Sequence, residues 1–478
     1  MQAPRPPYSH QEELDRLNKQ LESENRRLLQ QVEQARFKNK RLRKRIERLE
    51  QDLEKARRAT HRQAAPFSKG VPKAEPKTPG RKAGSDYGEP SSRPVPQRVD
   101  EVLPAPVSRR CPCGGTVQVE RTEPQYQEDI VRRTVVRRFD IEVGHCSCCG
   151  ARAQGRHPLQ TSDALGAAKV QVGPEALVLG AQLNKQLGLS LGHTARVLQS
   201  GYGLDFSRGG IYKALARLAG KAEPTYQGLL LTARKSLVNW VDETGWRVGG
   251  HSQWLWVAES ELVTVYSILP GRGSEQLQQI LGADYDGWLV HDGLRCYSSL
   301  DKACHQTCLT HLIRRCKEMG ERATRAAAQF PGRVKTLLQQ ALLLGGRFEL
   351  QEVTPHGLAV ATGRLEAAMD RLLDKDYRTA SNKRLAKHLR QQREYLFTFL
   401  YCPGLEGTNC RAERAIRPAV IARKVWGGNR TWNGANVQQT LMSVLRTFHQ
   451  QGKDAFASLV ELLRIPGHKI LEIVPTLA

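Results

Sequence analysis

The stretch Leu237-Val-Asn-Trp-Val-Asp-Glu-Thr-Gly-Trp246 decides the fold, because an apolar, strand-forming run ends there in two acidic residues. Two more β-rich runs follow after short turns, at Gln253–Val257 and Leu262–Ile268. A helical pattern at Ser274–Leu281 and a fourth strand at Gly287–Val290 come next. The order strand, strand, strand, helix, strand predicts the opening of a ribonuclease-H-like α/β core. In such a sheet the first and fourth strands are neighbours.

Acidic residues follow the first and the fourth of these predicted strands. Asp242 comes directly after the first apolar run, and Asp292 follows Val290 and His291 at the end of the fourth. Because the two strands are neighbours, both carboxylates are expected to converge on one hard cation. Phosphoryl transfer needs such a set, since two Mg²⁺ or Mn²⁺ ions about 4 Å apart hold the attacking and leaving oxygens in line. Glu413, on a later predicted helix, is the candidate for a third carboxylate.

Each of these acidic residues also has an ordinary structural interpretation. Asp is common in the turns that follow strands. Glu243 is an alternative ligand to its neighbour, and Asp284 and Asp286 precede the fourth strand. Glu413 could equally be a helix charge paired with Arg417 at i+4. The residues alone leave these alternatives open.

The length and charge of the chain limit the class of protein. Its 478 residues correspond to about three folding units at roughly 150 residues each. A net charge of +25 makes a polyanionic partner the first hypothesis, and the charge alone would also fit a protein that binds anionic lipid. No apolar run reaches the length of a membrane span and Met1–His10 lacks a signal-peptide core, so we expect a cytosolic, soluble protein without a membrane partner. Eleven cysteines, odd in number and clustered, favour thiols and metal ligands over disulfides.

A heptad repeat fills residues 11–57 and predicts a parallel leucine-zipper coiled coil that makes a homodimer or a larger assembly. One seam consists of Leu14, Leu21, Leu28, Ala35, Leu42 and Leu49. The alternative is a solvated charged helix that packs on its own domain. A basic leucine zipper is a poorer fit, because the basic cluster lies inside the repeat and not before it. Residues 58–107 are rich in proline and predict a disordered basic linker.

Two cysteine turns in residues 108–158 predict a zinc ribbon. The predicted Zn²⁺ ligands are Cys111, Cys113, Cys146 and Cys149. The first pair is one residue closer than the usual spacing, so His145 or Cys148 could replace one of its members. An alternating stretch at Val131–Phe139 predicts a β-hairpin between the two turns. The alternative is a cluster of free thiols in a redox-sensitive turn.

Residues 159–235 have helical apolar spacing and a break at Gly201-Tyr-Gly203. A second helix with Ser207 as its N-cap would complete a helix-turn-helix that binds DNA. The recognition residues would be Arg208, Tyr212 and Lys213. Packing in an ordinary helix bundle is the alternative. Beyond Ala303 the pattern is helical again through about Tyr401.

Several motifs of the chain, taken in order, resemble the insertion-sequence-66 family of transposases. They are Asp242-Glu243-Thr244-Gly245-Trp246, Trp254-Leu255-Trp256, Asp292-Gly293, Cys308-x-x-His311 with Arg314-Arg315, and Asn409-x-x-x-Glu413-Arg414-x-Ile416-Arg417-Pro418 with Arg423-Lys424. The resemblance covers nearly the whole chain, since the family has a zipper-like start, a zinc-binding segment, a helical segment, an acid-triad core and a helical tail. The shortened first cysteine turn and Gly427-Gly428-Asn429 depart from the family pattern.

The resemblance implies that Asp242, Asp292 and Glu413 are the catalytic triad of a core at residues 236–440. It also implies a helical insertion at about 321–400 and a helical tail at 441–478. His311, with Cys308, would support the active site by orienting or protonating a DNA phosphate; a buried Cys and a hydrogen-bonded core His are the alternative. The implied phosphate contacts are Arg314, Arg315, Arg414, Arg417, Arg423 and Lys424.

The expected function is Mg²⁺-dependent cleavage of DNA at the ends of a mobile element, followed by transfer of the 3′-OH into target DNA. The ribbon and the helical region would bind the terminal repeats, and the zipper would pair two protomers, in the cytoplasm at the nucleoid. One alternative is a metal-dependent nuclease of the same fold that stops at hydrolysis. Another is a dimeric DNA-binding regulator that needs no acidic triad.

Overall fold

A computed structural model describes residues 94–110, 112–128, 133–166, 171–323 and 325–475, together with isolated positions between Asp15 and Leu42. The chain forms two compact units, Met1–Gly84 and Ser85–Ala478. The isolated positions of the first unit are helical and exposed. Most of the predicted coiled coil and linker lies outside the described residues, and the described linker residues 94–107 form no helix or strand. None of the described helices is both long and apolar enough to cross a bilayer.

The cysteine-rich segment contains a small hairpin of β1 (Val143–His145) and β2 (Arg152–Gln154). The Cys146–Cys149 turn lies at its tip, where the Gly150 N–H donates to the Cys146 carbonyl at 2.9 Å. The prediction of strands at Val131–Phe139 was wrong for the described residues 133–139, which form none. The Arg and Val side chains of this segment are exposed, so strand pairing there would bury no apolar face.

The core is a mixed five-stranded sheet in the order β5-β4-β3-β6-β7. Its strands are β3 (Val238–Val248), β4 (His251–Glu259), β5 (Thr264–Leu269), β6 (Trp288–His291) and β7 (Cys304–Thr307). β3, β4 and β5 form an antiparallel meander, whereas β6 pairs with β3 and β7 with β6 in parallel. The helix α4 (Ser274–Leu281) joins β5 to β6, as predicted. The architecture is consistent with a ribonuclease-H-like domain.

β7 was missed, because the segment that follows Ala303 was predicted to be helical. The strand Cys-His-Gln-Thr carries few apolar side chains, and its buried polar groups are satisfied one by one. Gln306 Oε1 accepts from the Phe399 N–H at 2.8 Å, and the Thr307 hydroxyl donates to Gln392 at 2.7 Å. Specific hydrogen bonds replace the hydrophobic alternation that identifies a strand in a sequence.

The free edge of β5 is covered by α10 (Trp432–Gln450). Gln439, Ser443 and Thr447 lie four residues apart on this helix and accept hydrogen bonds from alternate backbone N–H groups of β5, at 2.9, 2.8 and 3.2 Å. An edge strand with satisfied donors cannot pair with another sheet. The predicted boundary between core and tail, at 440–441, falls inside this helix, so the tail begins as part of the core.

The helices that precede the sheet pack directly on it. They are α1 (Pro174–Ala181), which continues through a π-helical turn (Gln182–Gln186), α2 (Leu191–Tyr202) and α3 (Arg208–Lys235). One apolar cluster joins their buried side chains to the sheet, α10 and α11 (Ala455–Arg464). The Tyr226 hydroxyl donates to the Tyr266 carbonyl at 3.0 Å within that interface. The region 159–235 therefore shares the core of the sheet and is no separate module.

A second apolar cluster belongs to the helices after β7. They are α5 (Leu309–Arg322), α6 (Arg325–Glu349), α7 (Pro355–Leu373) and α8 (Ala380–Gln391), and two 3₁₀ turns follow. Their buried residues, such as Leu312, Val334 and Leu389, contact one another and form a core of their own. The chain then returns to the sheet through α9 (Cys410–Trp426), whose buried alanines pack with Trp240 and Val290.

Candidate active site

The two predicted aspartates lie on or directly after adjacent parallel strands, where the pairing of β3 with β6 ends. β3 pairs with β6 only as far as Trp240 opposite Val290, and Asp242 follows two residues later. β3 itself continues past Asp242 to Val248 against β4. Asp242 therefore lies within a strand, whereas the sequence pattern predicted that it follows one. Asp292 follows the last residue of β6, and its Oδ1 accepts the Leu294 N–H at 2.9 Å. The parting of β3 and β6 leaves the space between the two aspartates open.

Glu413 reaches the same edge from the first turn of α9. Asn409, the N-cap residue of this helix, is fully buried and donates from Nδ2 to the Val241 carbonyl at 2.7 Å. Its backbone N–H donates to the Cys308 sulfur at 3.1 Å. Asn409 thus ties the start of α9 to β3 beside Asp242 and to the start of α5, which fixes the position of Glu413.

The acidic side chains affect one another strongly. Burial, together with the negative charges of Glu243, Asp292 and Glu413, raises the pKa of Asp242 to about 7. Burial and the charge of Asp292 raise the pKa of Glu243 to about 7 as well. Four carboxylates therefore share one partly desolvated edge of a chain whose net charge is +25. Such a set is costly until a cation neutralises it.

The Glu243 side chain is almost fully enclosed, with 3% of it exposed. Its Oε2 accepts a 2.7 Å hydrogen bond from the Tyr297 hydroxyl. Arg272 Nη1 lies 3.6 Å from Oε1, and the Arg272 guanidinium also stacks on Trp254 with its central carbon 4.5 Å from the ring centre. Glu243 has protein partners on both oxygens, so it is less available to a metal ion than Asp242.

Two buried histidines support the loop that carries Asp292. His305 Nε2 lies 3.0 Å from the Leu300 carbonyl, which can only accept, so this nitrogen carries the proton. His305 Nδ1 therefore accepts from His291 Nε2 at 3.1 Å, and His291 Nδ1 accepts the Gly293 N–H at 3.0 Å. Every ring nitrogen has a partner when both rings are neutral. Burial, reinforced by the second ring, holds the pKa of His291 well below its usual range.

Gly293 follows Asp292 in a conformation that only glycine adopts without strain, with φ of +87°. A Cβ at this position would lie 3.3 Å from Thr307 and 3.4 Å from the His388 ring. His388 belongs to α8, so the helical insertion reaches the loop of the second aspartate. Burial and the charge of Arg315 lower the pKa of His388, while Asp292 opposes that shift.

Cys308, His311 and Glu413 form a compact cluster where α5 and α9 begin. One ligand atom from each lies within 4.8 Å of the others, and in the described part of the chain no other three His, Cys, Asp or Glu side chains meet this condition. His311 Nδ1 is 3.4 Å from Glu413 Oε1, and Arg314 is 3.7 Å from the same oxygen. Glu413 therefore pairs with His311 and Arg314 of α5. The alternative pairing with Arg417, four residues later on its own helix, is not the one observed.

Comparison with family models gives one match, to the model described as Transposase IS66 family, over residues 169–437. This range covers more than half of the chain and contains all three acidic residues. The chain belongs to the IS66 family of transposases. No curated protein matches the chain. The family has a DDE transposase domain, so this transposase is an enzyme of DNA transposition, and divalent metal ions serve enzymes of this class.

The predicted phosphate contacts of the transposase differ in their exposure and in whether the protein already binds their charged groups. Arg314, Arg414, Arg417 and Lys424 are exposed, and Arg315 is half-buried. Arg423 instead donates to the Thr244 hydroxyl at 3.0 Å and to the Gly245 carbonyl, so its guanidinium holds α9 against β3. An arginine occupied in this way does not fit the role of a phosphate contact.

The start of α3 has the cap that the sequence predicted. Ser207 Oγ accepts the Gly210 N–H at 3.0 Å, and Gly203 ends α2 with φ of +66°. Arg208 and Lys213 are exposed, whereas the Tyr212 hydroxyl accepts from the Asn433 amide at 3.0 Å and lies against α10. DNA binding by these residues of the transposase stays a prediction.

The predicted zinc ligands are described except for Cys111, which lies outside the described residues. Cys113, Cys146 and Cys149 are exposed. Backbone N–H groups of Cys149 and Cys148 point at the Cys146 sulfur and lower its pKa, which favours the thiolate that binds Zn²⁺. Zinc binding by this segment stays a prediction.

Three residues of the site could not be found by strand-end reasoning. Asn409 belongs to one of the motifs that resemble the family. Its hydrogen bond to β3, however, joins residues 168 positions apart in the chain. Tyr297 lies in a 3₁₀ turn, and only the fold places it over His291, with ring centres 4.6 Å apart. His388 lies in the insertion, where no motif indicated contact with the site.

Proposed function

We propose that this transposase cuts DNA at the ends of its element and joins the new 3′-OH to target DNA, with Asp242, Asp292 and Glu413 as the catalytic triad. The observation that carries the proposal is the placement of the three carboxylates: Asp242 lies on β3 just beyond its parallel pairing with β6, Asp292 directly follows β6, and Glu413 is in the first turn of α9. Burial raises the pKa of Asp242 to about 7, and the charges of Glu243, Asp292 and Glu413 add to this effect. The fold would then be the ribonuclease-H-like fold expected from the strand order.

The residues present fit a pair of Mg²⁺ or Mn²⁺ ions. The triad offers hard oxygen donors, which these ions prefer. Glu413 Oε1 is buried and has no hydrogen-bond partner, so a ligand atom is left unsatisfied by the protein. When bound, the ions would supply positive charge that stabilises the phosphate and the leaving oxygen in the transition state.

The side chains around the triad would hold it in position for two successive reactions. In the first, water attacks the phosphodiester at the element end and the 3′ oxygen leaves. In the second, that 3′-OH attacks a target phosphodiester and the 3′ oxygen of the target strand leaves. Leu294 N–H and the Glu243 N–H, which donates to Asp242 Oδ1 at 2.9 Å, orient the two aspartates. Asn409 would keep Glu413 in place, and His311 would hold a proton at Nδ1 toward Glu413 Oε1 or pass it to a DNA phosphate.

The exposed basic residues near the triad would hold the DNA backbone. Arg314, Arg414, Arg417 and Lys424 lie on α5 and α9, the two helices whose starts flank the site. Phosphate contacts of this kind give an affinity that falls steeply with salt. The zinc ribbon and the start of α3 would contribute recognition of the terminal repeats, and the zipper would pair two protomers so that both ends are cut together.

The central test uses Asp242→Asn, Asp292→Asn and Glu413→Gln in the full-length chain. Each change keeps the shape of the side chain and removes its charge. We expect each to lower Mg²⁺-dependent cleavage of DNA carrying the element's own ends by at least about 10³-fold, because a charge-stabilising group is lost. Binding to the ends, measured by mobility shift, should be retained. Asp284→Asn is the matched control, since this exposed acid precedes β6 and forms an ion pair with Lys302.

A second assay separates transposition from hydrolysis alone. DNA with precut ends that already carry a 3′-OH should be joined to target DNA by the wild-type chain. Cleavage without joining would indicate a nuclease, and end binding indifferent to both Mg²⁺ and the triad substitutions would indicate a DNA-binding regulator. Cleavage retained by all three variants would refute the assigned triad.

A further inference from the structure

The cluster of Cys308, His311 and Glu413 has a chemistry that differs from that of the triad. It combines a thiol, an imidazole and a carboxylate, whereas Mg²⁺ prefers oxygen ligands alone. Sulfur and nitrogen ligands with one carboxylate suit Zn²⁺, which takes three protein ligands and leaves a fourth position open in many sites. The spacing of the ligand atoms, all within 4.8 Å of one another, is short enough for one ion to contact all three.

Two of the three ligand atoms make no hydrogen bond within the protein, although Arg314 lies 3.7 Å from Glu413 Oε1. His311 Nδ1 and Glu413 Oε1 are both buried and make no hydrogen bond, although they lie 3.4 Å apart. Buried polar atoms are normally satisfied, so two such atoms facing each other indicate a missing partner. A cation between them would accept a lone pair from each atom. Without it, Glu413 can be satisfied by His311 only when the ring carries its proton on Nδ1.

The third ligand, Cys308, has backbone N–H donors around its sulfur. Burial nevertheless raises the pKa of the thiol, so a metal ion that binds there must displace its proton. The Cys308 sulfur accepts the Asn409 N–H at 3.1 Å, and the N–H groups of Thr310 and His311 at the start of α5 also point at it. Donors of this kind stabilise negative charge on sulfur at a helix N-terminus. Cys308 is fully buried, so its sulfur faces the cluster and not the solvent.

We propose that Cys308 Sγ, His311 Nδ1 and a Glu413 oxygen bind one Zn²⁺ ion, at a site distinct from the predicted zinc ribbon. The consequence rests on the proposed function: Glu413 is shared, so an ion held by Cys308 and His311 withdraws this carboxylate from the Mg²⁺ site. Zinc at this site therefore inhibits cleavage by competing for one ligand. The Arg314 contact with Glu413 would be displaced at the same time.

Metal content tests the site without any measurement of activity. The full-length chain is dialysed against limiting free Zn²⁺, and zinc per chain is measured for wild type, Cys308→Ala and His311→Asn. Cys316→Ala is the matched control, because Cys316 is a buried thiol on the same helix that packs among apolar residues. We expect wild type and Cys316→Ala to bind one more Zn²⁺ per chain than the other two variants. Equal zinc content in all four chains would refute the site.

Co²⁺ gives a second measurement that identifies the ligand atom. A Co²⁺ ion bound to a thiolate has a sulfur-to-metal charge-transfer band, so replacing Zn²⁺ by Co²⁺ should produce a band whose intensity falls in Cys308→Ala and not in Cys316→Ala. Thermal unfolding of each variant without metal shows whether it is folded. Unchanged band intensity in a folded Cys308→Ala chain would contradict the assignment of Cys308.

Zinc inhibition tests the consequence. With Mg²⁺ held constant, the Zn²⁺ concentration that halves cleavage should rise at least about tenfold in Cys308→Ala relative to Cys316→Ala, because a direct ligand is lost. The comparison uses the ratio of rates with and without Zn²⁺ for each variant. An unchanged concentration would refute the competition. If the wild-type chain cleaves no DNA at all, the proposed function fails, while metal content still decides the zinc site.

Discussion

Two clusters that contain histidine, one beside Asp292 and one beside Glu413, differ in how their polar atoms are satisfied. Behind Asp292, His291 and His305 form a closed chain in which every ring nitrogen has a hydrogen-bond partner. Beside Glu413, His311 is only partly enclosed and its Nδ1 has no partner. The first cluster is complete in the protein alone. The second is complete only with a proton, a metal ion or DNA, so we infer that the first maintains the fold and the second serves the chemistry.

The largest effect should come from breaking the complete cluster. His305→Ala removes the acceptor of His291 and the donor to Leu300, and it leaves a cavity beside the Tyr395 ring, whose centre lies 4.9 Å from that of His305. We expect the free energy of unfolding to fall by about 3 kcal/mol, as for other buried polar groups left unpaired. Chemical denaturation measures this change. His356→Ala, at an exposed position in the first turn of α7, is the control and should change stability by less than about 0.5 kcal/mol.

A fall in stability of similar size in the His356 control would show that the assay reports general damage. A His305→Ala chain of normal stability would contradict the structural role of the pair. It would also leave the neutral state of His291 unexplained, since the closed chain of donors and acceptors is what fixes it.

The open cluster should give the opposite result. His311→Ala removes a half-exposed ring whose Nδ1 makes no hydrogen bond, so we expect stability to change by about 0.5 kcal/mol or less. Cleavage of element ends should nevertheless fall about 10²-fold, the usual contribution of a group that positions or transfers a proton. A stopped-time cleavage assay and denaturation on the same preparation compare the two quantities. A loss of stability without a change in cleavage would reverse the roles assigned to the two clusters.

The same contrast explains which parts of the site could be predicted from the sequence. Asp242 and Asp292 follow apolar runs, and the order of strands alone makes those runs neighbours, so local pattern and topology were enough. Glu413 needed the resemblance to the family, because a Glu in the first turn of a helix is ordinary. The spacing of Cys308 and His311 is typical of metal ligands, so this pair could be found in the sequence. Their contact with Glu413 could not, because α9 meets α5 across about a hundred residues.

The elements that could not be predicted from the sequence are held in place by individual polar contacts. β7 carries His305, Gln306 and Thr307. Gln306 Oε1 and the Thr307 hydroxyl have partners more than eighty residues away, whereas His305 contacts His291 and Leu300 and Gln306 Nε2 also donates to the Thr307 carbonyl. Gly427-Gly428-Asn429 departed from the family pattern, yet Asn429 pairs with the end of β3 and accepts from the Trp246 indole at 2.8 Å. Such contacts produce no periodic pattern of apolar residues in the sequence.

The smallest effect should be the pH dependence that Glu243 gives to the metal-free chain. Burial raises its pKa to about 7, above the value of an unfolded Glu near 4.3. Between these two values the folded state binds more protons than the unfolded state, so the stability that Glu243 contributes is full below about pH 4 and is lost as the pH rises toward about 7. The stability of Glu243→Gln relative to wild type should therefore increase between about pH 5 and pH 8 in the presence of a chelator. The comparison of the two chains cancels the buried histidines, whose lowered pKa acts in the other direction and reduces stability only at acid pH. A relative stability that is constant over this range would show that Glu243 is ionised at low pH in the folded chain, held so by Arg272 and Tyr297.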